Sequence, residues 1–389
     1  MASLLAELQK GKGTLKAARK TNDRSAAQLA GCGEAPSLDV MTETEAERRK
    51  YFFDGGIDGW YSAVPHLTYE SRILPLSPST AEAMIRASAA NPKGGKGPTS
   101  GSEPHVERGP ELEELRQCLD QEIAAHFPEG GFFVKLSSRS PKDSTVALSK
   151  ATEAYRGHLA RGELVDDNDR WIAMAEAIRQ GGKCTSGEEA LELLLSSERV
   201  FQDLEYAMGF IHEDQQPELW NISLVLRAWD DSCTPDREFR AFVWQRKLCC
   251  VGQYFHDLYW AELEGLREHI TADAQRVFQE VVDHVPVASF MMDLAWIEPG
   301  KMVLIEVNPF DGVALGAFPA STGLFNWDRD REVMTGRAPF ELRLQPQKMS
   351  PQTLRMKKTQ LSPTWWSIIY PQAQVAAPGD EAKPAAAEE

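Results

Sequence analysis

The sequence predicts an α+β fold, because antiparallel strands and amphipathic helices occupy separate stretches of the chain. Three runs within residues 221–260, NISLVLRAW, REFRAFVW and KLCCVGQYF, have strand composition and predict a meander with a tight turn. The runs 289–297 and 301–308 flank a Pro-Gly dipeptide and predict a hairpin. Apolar stripes at helical spacing predict one helix from Pro110 and another over residues 262–284.

Composition places the chain among globular proteins. Its 389 residues are 42% hydrophobic and 26% charged, and the net charge of −16 argues against broad binding of nucleic acid or anionic membranes. No apolar run approaches the length that a membrane-spanning helix needs. Six cysteines lack C-x-x-C spacing, and the adjacent Cys249 and Cys250 lie in a predicted strand, so we expect reduced thiols. We therefore expect a cytoplasmic monomer.

The pattern along the chain predicts one large folded domain, residues 51–345, between two extensions. Residues 1–50 are predicted to be a polar leader, disordered or partly helical, whose basic, alanine-rich start leaves open an organelle transit peptide or a plain disordered extension. Residues 91–110 are rich in Gly, Pro and Ser and predict a flexible loop. Residues 145–180 are helical and highly charged, which predicts a solvated insertion. Residues 346–389 are predicted to be a low-complexity tail.

The predicted hairpin carries an acidic cluster. Pairing that is symmetric about its turn sets Asp293 opposite Glu306 and puts Asn308 on the same face. Like charges directly opposed on a sheet, about 5 Å apart at Cβ, repel each other. A hard divalent cation such as Mg²⁺, which prefers oxygen ligands, would join them. An ordinary hairpin with its acidic face in water remains the alternative.

Basic side chains lie on three other predicted strands. Lys135 is a lone charge in FFVKL, where it either holds a phosphate or reaches water from an edge strand. Arg227 and Arg240 have the guanidinium fork that suits a phosphate, although a buried ion pair between Arg240 and Glu238 would also explain the pattern. Cations for phosphates together with oxygen ligands for magnesium indicate phosphoryl-type chemistry.

Three familiar enzyme classes are excluded by missing residues. The segment GGKCTSG is not a P-loop, because Ala177 stands where its first glycine is needed. His212 and Glu213 have no second histidine four residues on, which excludes a zinc-protease helix. The chain also lacks the H-R-D and D-F-G motifs of protein kinases.

Several motifs occur in an order that indicates a family. These are VKL followed by PKD, then LVLRAW, EFRAF, FMMDL and LIEVNPF, with the aromatic arm WYSAVPHLTYESRILPL and the segment GGKCTSGEEALELLL. Over residues 60–327 the chain resembles the cell division cycle protein 123 family. The resemblance implies an ATP-grasp fold, in which two α+β subdomains hold ATP between antiparallel sheets.

The resemblance also implies site residues and cofactors, namely ATP and Mg²⁺. Lys135 would meet the phosphates, and Leu224 and Val225 would meet the adenine edge. Arg227 and Arg240 would flank the triphosphate. The complete set of implied ATP-binding residues is Lys135, Ser137, Ser140, Asp143, Leu224, Val225, Arg227, Arg240, Asp293 and Asn308. The implied magnesium ligands are Asp293, Glu306 and Asn308.

Family membership further implies a chaperone-like role linked to the cell cycle. Such a protein promotes assembly of the eukaryotic translation initiation factor 2 complex by binding its gamma subunit. The alternative is an ATP-grasp ligase, which activates an acid with ATP and passes it to a nucleophile. The sequence shows no dedicated nucleophile, so catalytic residues stay unassigned and the question of enzymatic activity stays open.

Overall fold

The computed structural model describes residues 44–90, 109–128, 131–162, 164–310 and 323–370. As predicted, it is a mixed α+β structure, with two separate sheets and helices packed against them. Most of the predicted leader, most of the predicted flexible loop and the end of the predicted tail lie outside these residues. No helix within the described ranges is long and apolar enough to cross a membrane.

The first sheet is built from the first half of the chain. Its strands are β1 (Ser71–Pro75), β2 (Phe132–Leu136), β3 (Lys183–Cys184) and β4 (Ser223–Ala228). They lie in the order β1-β4-β2-β3, and every neighbouring pair is antiparallel. Within the described residues, this sheet is accompanied by the helices α1 (Glu45–Phe53), α2 (Pro78–Ala90), α3 (Pro110–His126), α4 (Thr145–Arg161), α5 (Asp167–Gly181), α6 (Gly187–Leu195) and α7 (Glu198–His212).

The second sheet follows in the second half of the chain. Its strands are β5 (Glu238–Trp244), β6 (Lys247–Gln253), β7 (Phe290–Glu298), β8 (Lys301–Pro309) and β9 (Glu341–Arg343). Their order is β8-β7-β5-β6-β9, and β9 runs parallel to β6 while the other pairs are antiparallel. Two helices accompany it: α8 (Arg267–Val281), whose apolar stripe enters the core, and α9 (Trp327–Met334).

The predicted tight turn of the meander is confirmed. Trp244 pairs with Lys247 across a two-residue connection, and both connecting residues have positive φ, 46° at Gln245 and 60° at Arg246. Two left-handed residues in a two-residue loop match the twist of the flanking strands, which is the geometry of a tight hairpin. Side chains other than glycine tolerate it here because the carbonyls of Val282 and Val285 accept hydrogen bonds from the Arg246 guanidinium.

The predicted register of the acidic hairpin is confirmed at both ends of its ladder. Lys301 pairs with Glu298 beside the turn, and Glu306 pairs with Asp293. Between these pairs the register slips twice and returns, because Ile297 on β7 and Ile305 on β8 are each skipped by the ladder. Such bulges free a carbonyl from the ladder and bend the strand. Each of the two freed carbonyls accepts a hydrogen bond from an arginine side chain.

The end of the chain differs from the prediction of a tail from residue 346. Helices α10 (Pro351–Lys358) and α11 (Pro363–Ile369) fold onto the helices α4 and α5. Trp365 of α11 packs edge-on against Tyr155 of α4, with ring centroids 5.7 Å apart. The Trp171 indole donates a hydrogen bond to the Tyr370 hydroxyl at 3.2 Å.

The same contacts correct the prediction for residues 145–180. This segment is not a solvated insertion, because Tyr155, Trp171 and Met174 are fully buried in a third apolar cluster shared with α11. Its charges lie mainly at the ends and outer faces of α4 and α5. The high content of charged residues in this segment therefore does not mean that the segment is exposed to solvent.

Candidate functional site

A cavity of about 400 Å³ lies between the two sheets. The first sheet contributes the ends of β2 and β4, and the second sheet contributes β5, β6 and β8. Helix α5 and the loop 137–144 between β2 and α4 close its sides. Seven charged residues form what we call the ionic centre, on or just beneath the cavity wall: Lys135, Lys142, Arg227, Glu238, Arg240, Asp293 and Glu306.

Lys135 joins the two sheets through an ion pair. It is buried on β2, and its ammonium donates a hydrogen bond of 2.9 Å to Glu306 Oε2 on β8. Burial lowers the pKa of Lys135, because the charged form loses water, and Glu306 opposes this shift. Burial alone would raise the pKa of Glu306, but Lys135 and Lys142 hold it well below its usual value. Glu306 is therefore a carboxylate at every pH near neutrality.

Arg240 forms a second, closed ion pair within the second sheet. Its Nε and Nη2 donate to the two carboxylate oxygens of Asp293 at 2.6 and 2.7 Å. The two residues are directly opposed on β5 and β7, so the fork lies across the ladder. The predicted alternative, a pair between Arg240 and Glu238, is wrong, because Arg240 turns to the neighbouring strand. Asp293 lies beneath Arg240 and does not line the cavity.

Arg227 is buried on β4 and reaches across to the second sheet. Its guanidinium donates to the carbonyl of Ile305, which the β8 bulge frees, and to Thr68 Oγ1 at 2.5 Å. It also stacks over the Tyr69 ring, 5.3 Å from the centroid. Its Nε is enclosed and has no partner among the described residues. An enclosed donor without an acceptor is costly and indicates a missing partner.

Lys142 is a residue of the ionic centre that the sequence predictions do not include. Its ammonium lies 5.5 Å from the centroid of the Tyr254 ring and makes no ion pair or hydrogen bond with a described residue. The Tyr254 phenol, and beyond it the carboxylates of Glu306, Glu238 and Asp293, raise the pKa of Lys142. Lys142 belongs to the PKD motif after β2, and the sequence prediction names only the aspartate of that motif, Asp143.

Glu238 is the unpaired acid of the ionic centre. It lies at the start of β5, lines the cavity and makes no side-chain hydrogen bond or ion pair with a described residue. Burial raises its pKa to about 7, and the neighbouring Asp293 adds to the shift while Lys142 opposes it. A buried carboxyl with a pKa near neutrality is a frequent feature of functional sites.

The carboxylates do not form a metal site made of protein ligands alone. They fit better a magnesium ion that arrives bound to the phosphates of a nucleotide. Both Asp293 oxygens already bind Arg240, so the repulsion across the ladder is relieved by protein cations. Across the described ranges, no three His, Cys, Asp or Glu side chains are grouped to hold a metal. Glu306 and Asn308 do line the cavity together, with 3.3 Å between Asn308 Nδ2 and Glu306 Oε1. Mg²⁺ usually takes only one or two carboxylates and completes its shell with phosphates and water.

Five predicted ATP-binding residues do not line the cavity: Asp293, which lies beneath Arg240, and Ser137, Asp143, Leu224 and Val225. Ser137 bonds with the backbone of Ser223, and Asp143 accepts hydrogen bonds from Ser197 Oγ at 2.5 Å and from the Arg199 backbone at 3.1 Å. Leu224 belongs to the core of the first sheet and Val225 to that of the second. Because β4 pairs with both β1 and β2, its backbone edges are occupied as well. Of the predicted set, the residues that line the cavity are Lys135, Ser140, Arg227, Arg240, Glu306 and Asn308.

One end of the cavity is aromatic and apolar. Phe133 of β2, Trp229 after β4, and Ala175 and Ile178 of α5 form its wall. The guanidinium of Arg179 lies 4.8 Å from the centroid of the Trp229 ring. A flat, apolar slot with one aromatic face suits a planar ring, and α5 belongs to the segment predicted to be a solvated insertion.

Comparison with known proteins gives relatives with a shared name. The translation initiation factor eIF2 assembly proteins of Xenopus laevis and Schizosaccharomyces pombe are 30% and 29% identical to the chain over 162 and 191 residues. These matches cover 41% and 47% of this chain and 45% and 54% of those proteins. The chain thus spans about half the length of the curated relatives it matches.

A solved structure and a family model extend the likeness. The structure of Cdc123 from Schizosaccharomyces pombe, 22% identical, matches 77% of this chain and 98% of that one with a TM-score of 0.52. At this identity the likeness speaks for the fold, and it confirms the predicted ATP-grasp-like α+β fold. The D123 family model matches residues 167–364, half of the chain. The chain therefore belongs to the D123 family, in agreement with the resemblance that its motifs indicate.

Proposed function

We propose that the chain binds ATP together with Mg²⁺ in the cavity between its sheets and acts in the assembly of translation initiation factor 2. The observation that carries the nucleotide part is the convergence of four cations from both sheets on one cavity. The cations Lys135, Lys142, Arg227 and Arg240 face three carboxylates, Glu238, Asp293 and Glu306. The ionic centre thus has one positive charge more than it has negative charges.

The phosphates are proposed to bind where cations lack partners. Lys142 has no ion pair, and Arg227 has an enclosed Nε without an acceptor. Both gain a charge-assisted hydrogen bond from a phosphate oxygen, which is about twice as strong as a neutral one. Magnesium would then sit between the phosphates and the side chains of Glu306 and Asn308. Because the protein supplies so few ligands, Mg²⁺ alone should bind far more weakly than Mg²⁺ with ATP.

The adenine ring is proposed to occupy the aromatic end beside Trp229 and Phe133. Glu238 lines the cavity at the start of β5, has no side-chain partner among the described residues, and is proposed to lie beside the ribose. A carboxylate there is suited to accept hydrogen bonds from ribose hydroxyls. This arrangement uses each unpaired polar group of the ionic centre for one part of the nucleotide.

Isothermal titration with ATP and Mg²⁺ tests the nucleotide part. Lys142→Met should weaken ATP by at least about tenfold, the effect of one charge-assisted hydrogen bond, and should leave adenosine binding nearly unchanged. Lys50→Met, which removes an exposed ammonium paired with Asp54, is the matched control and should bind like the wild type. Equal losses of ATP and adenosine in Lys142→Met would contradict a phosphate contact.

The assembly role rests on the names of the relatives, and the gamma subunit is the partner that the family resemblance implies. The test is capture of the tagged full chain from cytosol, with and without ATP and Mg²⁺. Enrichment of the gamma subunit of initiation factor 2 supports the proposal, and its absence under both conditions contradicts it. Release of ADP or AMP that depends on an added acceptor would instead indicate the ligase.

A further inference from the structure

The loop 137–144 and the start of α7 both line the cavity, and we call the part of the lining that they contribute, residues 138–142 and Arg199, its second arm. Asp143 fixes the two elements to each other, because it accepts hydrogen bonds from the Ser197 hydroxyl and from the Arg199 backbone. Arg199 is thereby held close to Lys142, the residue before Asp143. The side chains of Ser140, Lys142 and Arg199 all line the cavity at this arm.

Arg199 has no partner in this arm. Its guanidinium makes no hydrogen bond or ion pair with any residue in the described part of the chain, and its Nε is enclosed without an acceptor. The residue is half-buried, so water does not fully replace the missing acceptor. Burying part of a guanidinium without an acceptor costs free energy, and an anion in the cavity that accepts hydrogen bonds from its other nitrogens would offset that cost.

The neighbouring Arg139 shows what a completed guanidinium looks like in the same arm. It binds the buried carboxylate of Asp203, with 3.0 Å between Arg139 Nη2 and Asp203 Oδ1, and Ser138 donates to the same carboxylate at 2.8 Å. Asp203 is thus already neutralised by Arg139. Asp143, an acid of the loop itself, is bound to the Ser197 hydroxyl and to the Arg199 backbone. Among the residues that the structure describes, Arg139 therefore has a carboxylate partner and Arg199 has none.

We propose that Arg199, together with Ser140 and Lys142, forms an oxyanion subsite for the acidic group of a second, small-molecule ligand that binds beside the nucleotide. The planar fork of arginine matches the two oxygens of a carboxylate or of a phosphate, which share this chemistry. The proposal rests on the proposed function, because it takes the nucleotide to occupy the adjoining ionic centre. Lys142 would lie between the two ligands, and Arg199 of α7 is a cation of the cavity wall to which the proposed nucleotide site assigns no part.

Isothermal titration of the full-length protein tests the subsite with sodium phosphate and sodium succinate as separate probes. The protein is first saturated with Mg²⁺ and a non-hydrolysable ATP analogue, and sodium chloride at equal ionic strength is the blank. One probe or both should bind to the wild type, which identifies phosphate or carboxylate as the source. Arg199→Gln should weaken that probe by about tenfold, and more than it weakens the nucleotide. Arg199→Lys, which keeps the charge without the fork, should fall between.

The control is Arg156→Gln, which removes an exposed guanidinium of α4 that pairs with Glu153, and it should behave like the wild type. Absence of probe binding to the nucleotide-loaded wild type would overturn the subsite, and so would equal binding to Arg199→Gln. A larger loss of nucleotide than of probe in Arg199→Gln would make Arg199 a nucleotide contact instead. If the wild type fails to bind the ATP analogue, the proposed function fails, and the same titration without nucleotide still decides the subsite.

Discussion

The two walls of the cavity treat their charges differently. On the wall formed by β8, with β7 beside it, Glu306 is bound by Lys135, and Asp293, which lies beneath the wall, is bound by Arg240, so each acid has a protein cation. On the wall formed by the loop 137–144 and the start of β5, Lys142 and Glu238 have no partner at contact distance in the part of the chain that the structure describes. Paired buried charges hold two sheets together, whereas unpaired ones lower stability until a ligand supplies the partner.

The largest expected effect breaks a pair of the first wall. Lys135→Met leaves the Glu306 carboxylate without its cation between the sheets, so the free energy of unfolding should fall by about 3–5 kcal/mol. Lys142→Met removes a half-buried cation that has no ion-pair partner among the described residues, so it should change the free energy of unfolding far less. Urea denaturation of both variants measures the contrast. Equal losses would show that the two walls do not differ.

The next effect concerns the unpaired acid of the second wall. Burial raises the pKa of Glu238 to about 7, from 4.5 for an exposed glutamate, so the folded protein holds a proton that the unfolded chain releases. The free energy of unfolding should therefore fall as the pH rises from about 4.5 to about 7, by at most about 3 kcal/mol, and then level off. Glu238→Gln, which stays neutral, should lose this slope.

Urea denaturation at pH values from about 5 to about 8 compares the two proteins. The difference in unfolding free energy between Glu238→Gln and the wild type should widen with pH and become constant above about 7. A difference that stays constant across the whole range would mean that Glu238 is solvated or paired. Glu238 would then resemble Asp293 and Glu306, the paired acids of the first wall.

The smallest effect concerns a pair at the rim of the cavity. Lys357 of α10 binds Asp257, with 2.6 Å between Nζ and Oδ2, next to the cavity residues Phe255 and His256. Their side chains are 14% and 16% exposed, so solvent screens the attraction in part. Lys357→Met should cost about 1 kcal/mol, measured as the shift in unfolding free energy. A loss as large as that of Lys135→Met would mean that the rim pair contributes as much to the free energy of unfolding as the interior pair does.

The sequence predicts the local geometry of the site well and its long-range partners poorly. The hairpin register follows from its own turn and alternation, so the opposition of Asp293 and Glu306 needs no knowledge of the rest of the chain. Which strand lies on the other side of β7 is a tertiary fact, and β5 brings Arg240 to Asp293 from 53 positions away. The prediction of a magnesium site took account of the opposed acids Asp293 and Glu306 only, and not of Arg240 on the neighbouring strand.

The predictions for the C-terminal end of the domain and for residues 145–180 failed for a related reason. The helix α11 is short and follows a stretch rich in Pro and Gln, which composition assigns to a tail. It is ordered because Trp365 and Ile369 enter the same cluster as Trp171 of α5. Neither segment has a complete core alone, so single-segment composition cannot reveal that each buries the other. Lys142 and Arg199 were missed because a lone basic residue in a loop or helix is usually solvated.

We propose that the cavity between the sheets holds a magnesium nucleotide through Lys142 and Glu238 of its second wall and through Arg227 of β4. A crystal structure of the full chain with Mg²⁺ and a non-hydrolysable ATP analogue tests it most directly. We expect the base to lie beside Trp229 and phosphate oxygens to lie within hydrogen-bonding distance of Lys142 and Arg227. We expect magnesium to bind Glu306, and the ion pair between Arg240 and Asp293 to remain intact. A nucleotide bound elsewhere, at concentrations that saturate the protein in solution, would contradict it.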